Sequence, residues 1–197
     1  MLRPATLADA MTLWRIRNQP DVRAQSRTTE RVAWDAHVAW LTRTLADPCR
    51  RLGVWEHQTQ PAGYGRLDVD PCQQAEVSVA VDALYRHRGV AFGVLETLRV
   101  WARTAGCETL IADVRPENTA SLILFLRAGY IPTDILRCQP VDLVRMARPV
   151  HDCRLCAEGV PLHTVGEGAI SDGRRREVSD LHEVPCETGV ALVECVR

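Results

Sequence analysis

The sequence contains no lysine: all 24 of its basic side chains, set against 25 Asp and Glu, are arginine. We read that bias as genomic base composition rather than function. The near-balance of charge removes the argument for general nucleic-acid binding, which calls for a basic excess. No apolar run is long enough to cross a membrane, and Met1-Leu2-Arg3-Pro4 does not read as a signal sequence. The expectation is a soluble, cytoplasmic protein with neither nucleic-acid nor membrane partners. Internal repeats and low-complexity segments are missing as well. What is present is 197 residues at 46% hydrophobic composition, ample for one cored domain with an appendage.

The eight cysteines divide that length unevenly. Cys49, Cys72, Cys107 and Cys138 are scattered singly, as reduced or buried thiols would be. Cys153, Cys156, Cys186 and Cys195 crowd into the last 48 residues, with three of the six histidines. Composition therefore changes near Pro149-Val150, which divides the chain into a domain of residues 1–149 and a Cys/His-rich tail of residues 150–197.

In chain order, Leu2 to Ala5 is a short strand, and Thr6-x-x-Asp9 resembles a capping box opening a helix that stops near Asn18-Gln19-Pro20. A second helix covers Trp34 to Ala46. Trp34, Val38, Leu41 and Leu45 form one face, and His37, Trp40 and Thr44 a neighbouring one. Strands at Leu52–His57 and Gly63–Asp70 flank the turn material Thr59-Gln60-Pro61-Ala62. Val77, Val79 and Val81 alternate with Glu76, Ser78 and Ala80, which is the period of a strand. An amphipathic helix carrying Ala91, Leu95, Leu98 and Ala102 follows, closed by Gly106. Then come a buried strand Leu110–Val114, a helix Thr119–Arg127 expected to be buried because it is apolar almost all round, and strands at Ile131–Leu136 and Val141–Met146.

Between the valine strand and its helix lies Arg86-His87-Arg88-Gly89-Val90-Ala91. Glycine lets backbone approach a ligand closely, a helix N-terminus offers unpaired N–H groups, and flanking arginines suit phosphate. The stretch is an anion cradle fit for a pyrophosphate. Arg86-x-x-Gly89-x-Ala91 resembles the acetyl-CoA pyrophosphate loop of the GNAT acetyltransferase superfamily. Asn118-Thr119-Ala120-Ser121 and the following Gly129-Tyr130 resemble that family's Asn-x-x-Ser…Gly-Phe/Tyr segment, and the element order agrees over residues 1–148.

The resemblance implies an α/β (α+β) fold with a mixed, mostly antiparallel sheet flanked by helices, and acetyl-CoA as cosubstrate. It assigns the cofactor to Val79, Ala80 and Val81, to the loop from Arg86 through His87, Arg88, Gly89 and Val90 to Ala91, and to Asn118 and Phe125. Asn118 at a strand-to-helix junction is equally an N-cap. Phe125 stands where many members carry a tyrosine acid, so a proton donor to the thiolate is in question. Lysine's absence also removes any internal lysine as acetyl acceptor.

Arg17-Asn18-x-Pro20-x-Val22-Arg23 and His37-x-x-Trp40-Leu41 resemble a branch acting on nucleotide-linked amino sugars, and related protein N-terminal acetyltransferases. On that basis Arg17, Asn18 and His37 are substrate contacts, the tryptophans core, and the acceptor a small-molecule amine; Asn18 is otherwise a turn former. A protonated amine needs a base before it attacks a thioester, and Glu76 is the candidate, unless it is merely solvated or arginine-paired. A non-catalytic acyl-CoA-binding module with a partner-binding tail is the alternative to an enzyme. A homodimer is compatible with either.

In the tail, Cys153-x-x-Cys156 and His182-x-x-x-Cys186 offer four soft ligands at spacings that suit structural zinc. His151, His163 and Cys195 compete as ligands, and the glycines with Arg174-Arg175-Arg176 make disorder the other expectation.

Overall fold

Strand alternation decides how this chain divides its core. In a computed structural model describing residues 1–138 and 141–151, Gln74–Val81 forms one long strand. Its odd-numbered residues Val77, Val79 and Val81 enter one apolar cluster, and Ala80 enters another on the opposite face. Each buried valine or leucine contributes about 1.5–3 kcal/mol relative to exposure.

The strands are β1 (Leu2–Pro4), β2 (Arg50–His57), β3 (Gln60–Val69), β4 (Gln74–Val81), β5 (Thr109–Val114), β6 (Ile131–Leu136) and β7 (Leu143–Pro149). They form one sheet of order β1-β2-β3-β4-β5-β7-β6. Every pairing is antiparallel except β4 with β5. The helices are α1 (Ala10–Arg17), α2 (Pro20–Ala24), α3 (Trp34–Ala46), α4 (Val90–Thr104) and α5 (Thr119–Arg127).

Helix α4 covers one face of the sheet. Its apolar stripe of Val90, Val94, Leu95, Leu98 and Ala102 is buried at the spacing of a single helix face. The helix lies so close to β3 that a Cβ at Gly65 would stand 2.4 Å from Val94 Cγ1. Helices α1 and α3 cover the other face, where Leu13, Ile16 and Leu41 meet the cross-strand row Val54, Tyr64 and Ala80. At the start of α1, the Thr6 N–H donates to Asp9 Oδ2 at 2.8 Å, and Arg3 grips the same carboxylate at 2.7 and 2.9 Å.

Several sequence expectations are corrected. The hairpin between β2 and β3 turns at Gln58-Thr59, both at positive φ (49° and 66°), not across Thr59–Ala62. Pro61 lies inside β3, beside the register shift at Trp55/Glu56, where the ladder tolerates a residue without an N–H. Helix α2 was not foreseen; its five residues are too few to show a period. Helix α5 is not buried all round: Phe125 is, but Ile123 and Leu126 are 45% and 51% exposed. Of the tryptophans, Trp40 packs partly buried against the α1/α3 cluster, but Trp34 is not core. Trp34 is 38% exposed and stands edge-on to Trp14 at 5.7 Å.

The last strand ends at Pro149, and Val150 is fully buried, with its N–H donated to Glu108 O at 2.9 Å. Among the described residues, no helix is long and apolar enough to cross a membrane. Cys153, Cys156, His182 and Cys186 lie outside the described residues, as does the rest of the tail beyond His151.

Candidate active site

The loop from β4 to α4 is built by local rules. Asp82 Oδ1 accepts the Leu84 N–H at 3.0 Å, starting a 3-10 turn over Ala83–Tyr85. The chain then passes through His87 (φ 59°) and Gly89 (φ 76°) before Val90 opens α4. Left-handed backbone at these positions turns successive N–H groups towards one concavity, and the first helical turn adds its own. A Cβ at Gly89 would meet nothing within 4 Å, so the space above the backbone is open to a ligand. A cleft of about 530 Å³ begins here, walled by Val81, His87 and Phe92 on one side and by Ala120, Leu124 and Arg127 of α5 on the other.

The two loop arginines have different partners. Arg86 is ion-paired with Asp21 of α2, and its Nε donates to Val81 O at 3.4 Å, so its charge straps the loop to the protein. Arg88 lies over the Tyr85 ring at 5.7 Å. Arg127, the last residue of α5, adds a cation to the cleft that sequence reasoning passed over.

Strands β4 and β5 part company at the same end of the sheet. They pair only from Gln74↔Thr109 to Glu76↔Ile111, although β4 continues through Val81 and β5 through Val114. Beyond Glu76 the β5-facing backbone groups of β4 have no strand partner among the described residues, which suits an extended amide-bearing ligand. Val79 and Ala80 have buried side chains on opposite faces, so what they can offer a cofactor is backbone.

A second cavity of about 220 Å³ lies on the α1/α3 face of the same strand. Its floor is Tyr64, Arg66 and Ser78, and its walls include Arg17, His37 and Trp40. Arg17 and His37 are both buried there. The Arg17 Nη2 donates to Thr28 O at 3.0 Å, and the His37 Nε2–H donates to Ala10 O at 3.0 Å. Burial, reinforced by the charge of Arg17 and opposed by that hydrogen bond, holds the His37 imidazole below its ordinary range. The neutral ring then keeps Nδ1 as an acceptor.

Asn18 is not on that wall. Its amide brackets Val32, accepting the N–H at 2.8 Å and donating to the carbonyl at 3.1 Å. It thereby holds the segment that brings Thr28 and Val32 to the cavity. Tyr64, Arg66 and Ser78 were missed, although the Arg66/Ser78 pair follows from the alternation that singled out Glu76.

Glu76 lines neither cavity; it is the last residue of β4 paired with β5, one pleat from Ser78 in the lining of the second cavity. It faces Asp68 on β3 and Ile111 on β5. No hydrogen bond reaches its buried Oε1. Burial pushes its carboxyl above the ordinary range; Arg27 opposes this and Asp113 adds to it. Asp113 itself is clasped by Arg27 at 3.0 Å and Arg145 at 2.8 and 2.9 Å.

Asn118 and Phe125 lie away from both cavity walls. The Asn118 Oδ1 accepts the Ser121 N–H at 3.1 Å, so the side chain caps α5. Phe125 is fully buried and meets the Tyr130 ring edge-on at 4.8 Å, which places it in the core.

This geometry has counterparts. The sequence matches the model of the Acetyltransferase (GNAT) family over residues 10–130. Comparison with curated protein sequences finds no match. Among solved structures, a Salmonella typhimurium protein solved with its cofactor acetyl-CoA superposes with a TM-score of 0.66 at 21% identity, over 78% of this chain and 95% of that one. Ribosomal-protein-alanine N-acetyltransferase from Brucella melitensis gives 0.65 at 25% identity, over 76% and 99%. Spermidine N-acetyltransferase from Vibrio cholerae, in complex with CoA and spermine, gives 0.68 at 16% identity, over 76% and 94%. With the family model spanning more than half of its length, this chain belongs to the acetyltransferase (GNAT) family of acetyl-CoA-dependent N-acetyltransferases.

Proposed function

We propose that this chain acetylates the primary amine of a small molecule, with a nucleotide-linked amino sugar as the acceptor class. The observation that carries the transfer reading is the parting of β4 from β5 beside the left-handed loop at α4. The loop and the first turn of α4 would hold the pyrophosphate of acetyl-CoA, with Arg127 neutralising charge. The free edge of Val79–Val81 would take the amide-bearing arm and lead the thioester to Ser78 and the second cavity. Ser78 lines the α1/α3 cavity and Val81 the cofactor cleft, so the two reactants meet across a single strand.

Glu76 is the base in this reading, directly or through one water. A carboxylate with a raised proton affinity takes a proton from an ammonium more readily than an ordinary one. Backbone N–H groups of β4 would stabilise the oxyanion. The thiolate is a good enough leaving group that Phe125 at the acid position is no obstacle.

Resemblance of Arg17-Asn18 and His37 to the amino-sugar branch supports the acceptor class. The Brucella neighbour, at 25% identity, supports a protein N-terminus as the second reading. The Cys153, Cys156, His182 and Cys186 zinc set, a cytoplasmic location and a homodimer belong to the same proposal and rest on sequence alone; the division of the chain near Pro149-Val150 belongs to it too, with the buried Val150 favouring a cut after His151.

Incubation with acetyl-CoA and separate sets of amino-sugar nucleotides and peptides, followed by thiol release and product mass, tests it. Acetylation of the sugar set is expected. Peptide acetylation alone would move the acceptor to protein N-termini. Acetyl-CoA binding with no product from either set would make the chain a binding module.

A further inference from the structure

Among the described residues, the lining of the acceptor cavity holds two arginines and no acid. Arg17 closes the end of α1 and Arg66 rises from β3, and both are buried at the wall. Their charges are fixed in orientation. Arg17 is braced on Thr28 O at 3.0 Å, and Arg66 is held by Asp68 at 2.8 Å with its guanidinium 5.8 Å from the Trp40 ring centre. Among the described residues neither Asp nor Glu lines the cavity; Asp68 and Glu76 approach it through Arg66 and Ser78. His37, the one further titratable group on the wall apart from Tyr64, is kept neutral by burial and by Arg17.

From this we infer that the acceptor is an amine bearing an anionic group, a carboxylate or a phosphate, which sits against Arg17 and Arg66 while the amine turns towards Glu76. The inference rests on the acetyl-transfer reading and narrows its substrate class. Its physical basis is charge sign in a site of low dielectric. Planar guanidinium forks pair with carboxylate and phosphate oxygens, and such pairs are among the strongest polar contacts. A polyamine places a second ammonium against two arginines, and no carboxylate among the described residues lines the wall to receive it.

Size points the same way. A cavity of about 220 Å³ is smaller than the ~300–1,000 Å³ of typical ligand sites. It takes a compact amine with its anion a few bonds away, any larger substituent remaining outside. Trp40, Tyr64 and Leu13 supply the apolar contact for the carbon frame between the two charged ends.

The test uses the full chain with saturating acetyl-CoA and matched acceptors: an α-amino acid and its amide, a phosphorylated and an unphosphorylated amino sugar, and spermidine. Each anionic member should exceed its neutral partner in kcat/KM by about 10- to 100-fold, the scale of a charge-assisted hydrogen bond. Whichever pair shows the preference tells carboxylate from phosphate. Arg17→Gln should erase the preference by raising KM for the anionic member alone, and Arg17→Lys should restore part of it.

A binding readout runs alongside, in which the anionic amine raises the melting temperature of the CoA-bound protein and its neutral partner does not. That shift without any product would retain the anion site and overturn acetyl transfer. Equal turnover and equal shifts within every pair, or a preference for spermidine, would overturn the anion site while leaving acetyl transfer in place. Because the wild-type comparison needs no variant, misfolding of Arg17→Gln cannot mask the result.

Discussion

Asp68 and Glu76 stand directly opposite each other on β3 and β4, two carboxylates on the same face of one sheet. Burial raises the proton affinity of both. Asp68 is ion-paired with Arg66 at 2.8 Å and Arg50 at 3.8 Å, yet its buried Oδ1, like the buried Oε1 of Glu76, has no hydrogen-bond partner. A buried carboxyl oxygen kept short of partners is costly for folding and useful for moving protons.

That cost has a sign. The folded-state pKa of Glu76 is raised, so between the ordinary carboxylate range and that raised value the native state holds more protons than the unfolded one. Stability from this group is full at low pH and falls as pH rises through that window. Glu76→Gln removes the loss. The variant should melt at or above the wild-type temperature at neutral pH, while its turnover drops ~10²-fold or more with acetyl-CoA affinity unchanged. Melting curves at acid and neutral pH, with initial rates alongside, check both halves. A rate deficit that persists undiminished at high pH, where the amine is already free, would show that Glu76 is not the base.

Gly89 is at φ 76° with open space above it, so two penalties meet in Gly89→Asp. A non-glycine residue is strained there, and its carboxylate would face the concavity proposed for the pyrophosphate. Gly89→Ala carries only the first penalty. Acetyl-CoA should raise the wild-type melting temperature by mass action and leave Gly89→Asp unmoved, with Gly89→Ala in between. Equal coenzyme A binding by wild type and the Asp variant would detach the cofactor from this loop.

The reach of sequence reasoning can be followed residue by residue. Helix α4 was legible because Leu95, Leu98 and Ala102 keep the helical period and glycines punctuate both ends. Helix α5 was legible in its bounds but not in its burial, since Ile123, Leu126 and Phe125 are equally apolar and only the tertiary fold exposes the first two. The turn at Gln58-Thr59 left no trace, because neither residue advertises positive φ as glycine would. Arg86 looked like a phosphate ligand because its partner Asp21 lies 65 positions earlier, in a helix too short to be seen. The cavity around Arg17, Tyr64 and Arg66 likewise joins elements distant in the chain, and no local pattern announces it.

The Arg86–Asp21 pair makes its own prediction. It ties the loop before α4 to α2 and leaves the Arg86 side chain only 9% exposed. Asp21→Asn keeps the volume and loses the charge, which frees the strap without touching the cleft wall. The expected effect is a several-fold rise in KM for acetyl-CoA with kcat little changed, as befits a positioning contact. Arg86→Ala should have the same effect as the double variant, because the two side chains act as one unit. If the two single variants were additive, Arg86 would have a role of its own at the pyrophosphate.

The boundary of the catalytic domain is testable at a definite residue. Val150 is fully buried and hydrogen-bonded to Glu108, and Arg99 Nη1 donates to its carbonyl at 3.4 Å, so the cut belongs after His151 rather than after Pro149. Residues 1–151 contain every strand among the described residues, both cavities and all the groups proposed for cofactor and acceptor. This piece should fold and bind acetyl-CoA like the full chain, whereas a piece ending at Pro149 should be measurably less stable. Zinc enters as a separate measurement. If Cys153, Cys156, His182 and Cys186 form a closed site, the full chain should carry about one metal per molecule, and residues 1–151 none. Chelation should then open the full chain to protease near Arg174-Arg175-Arg176 while acetyl-CoA binding persists, because metal energy would be folding energy for the tail alone. Full chain purified with ample zinc but without bound metal would return those four side chains to free thiols and an ordinary histidine. Loss of acetyl-CoA binding in residues 1–151 would instead make the tail part of the catalytic unit.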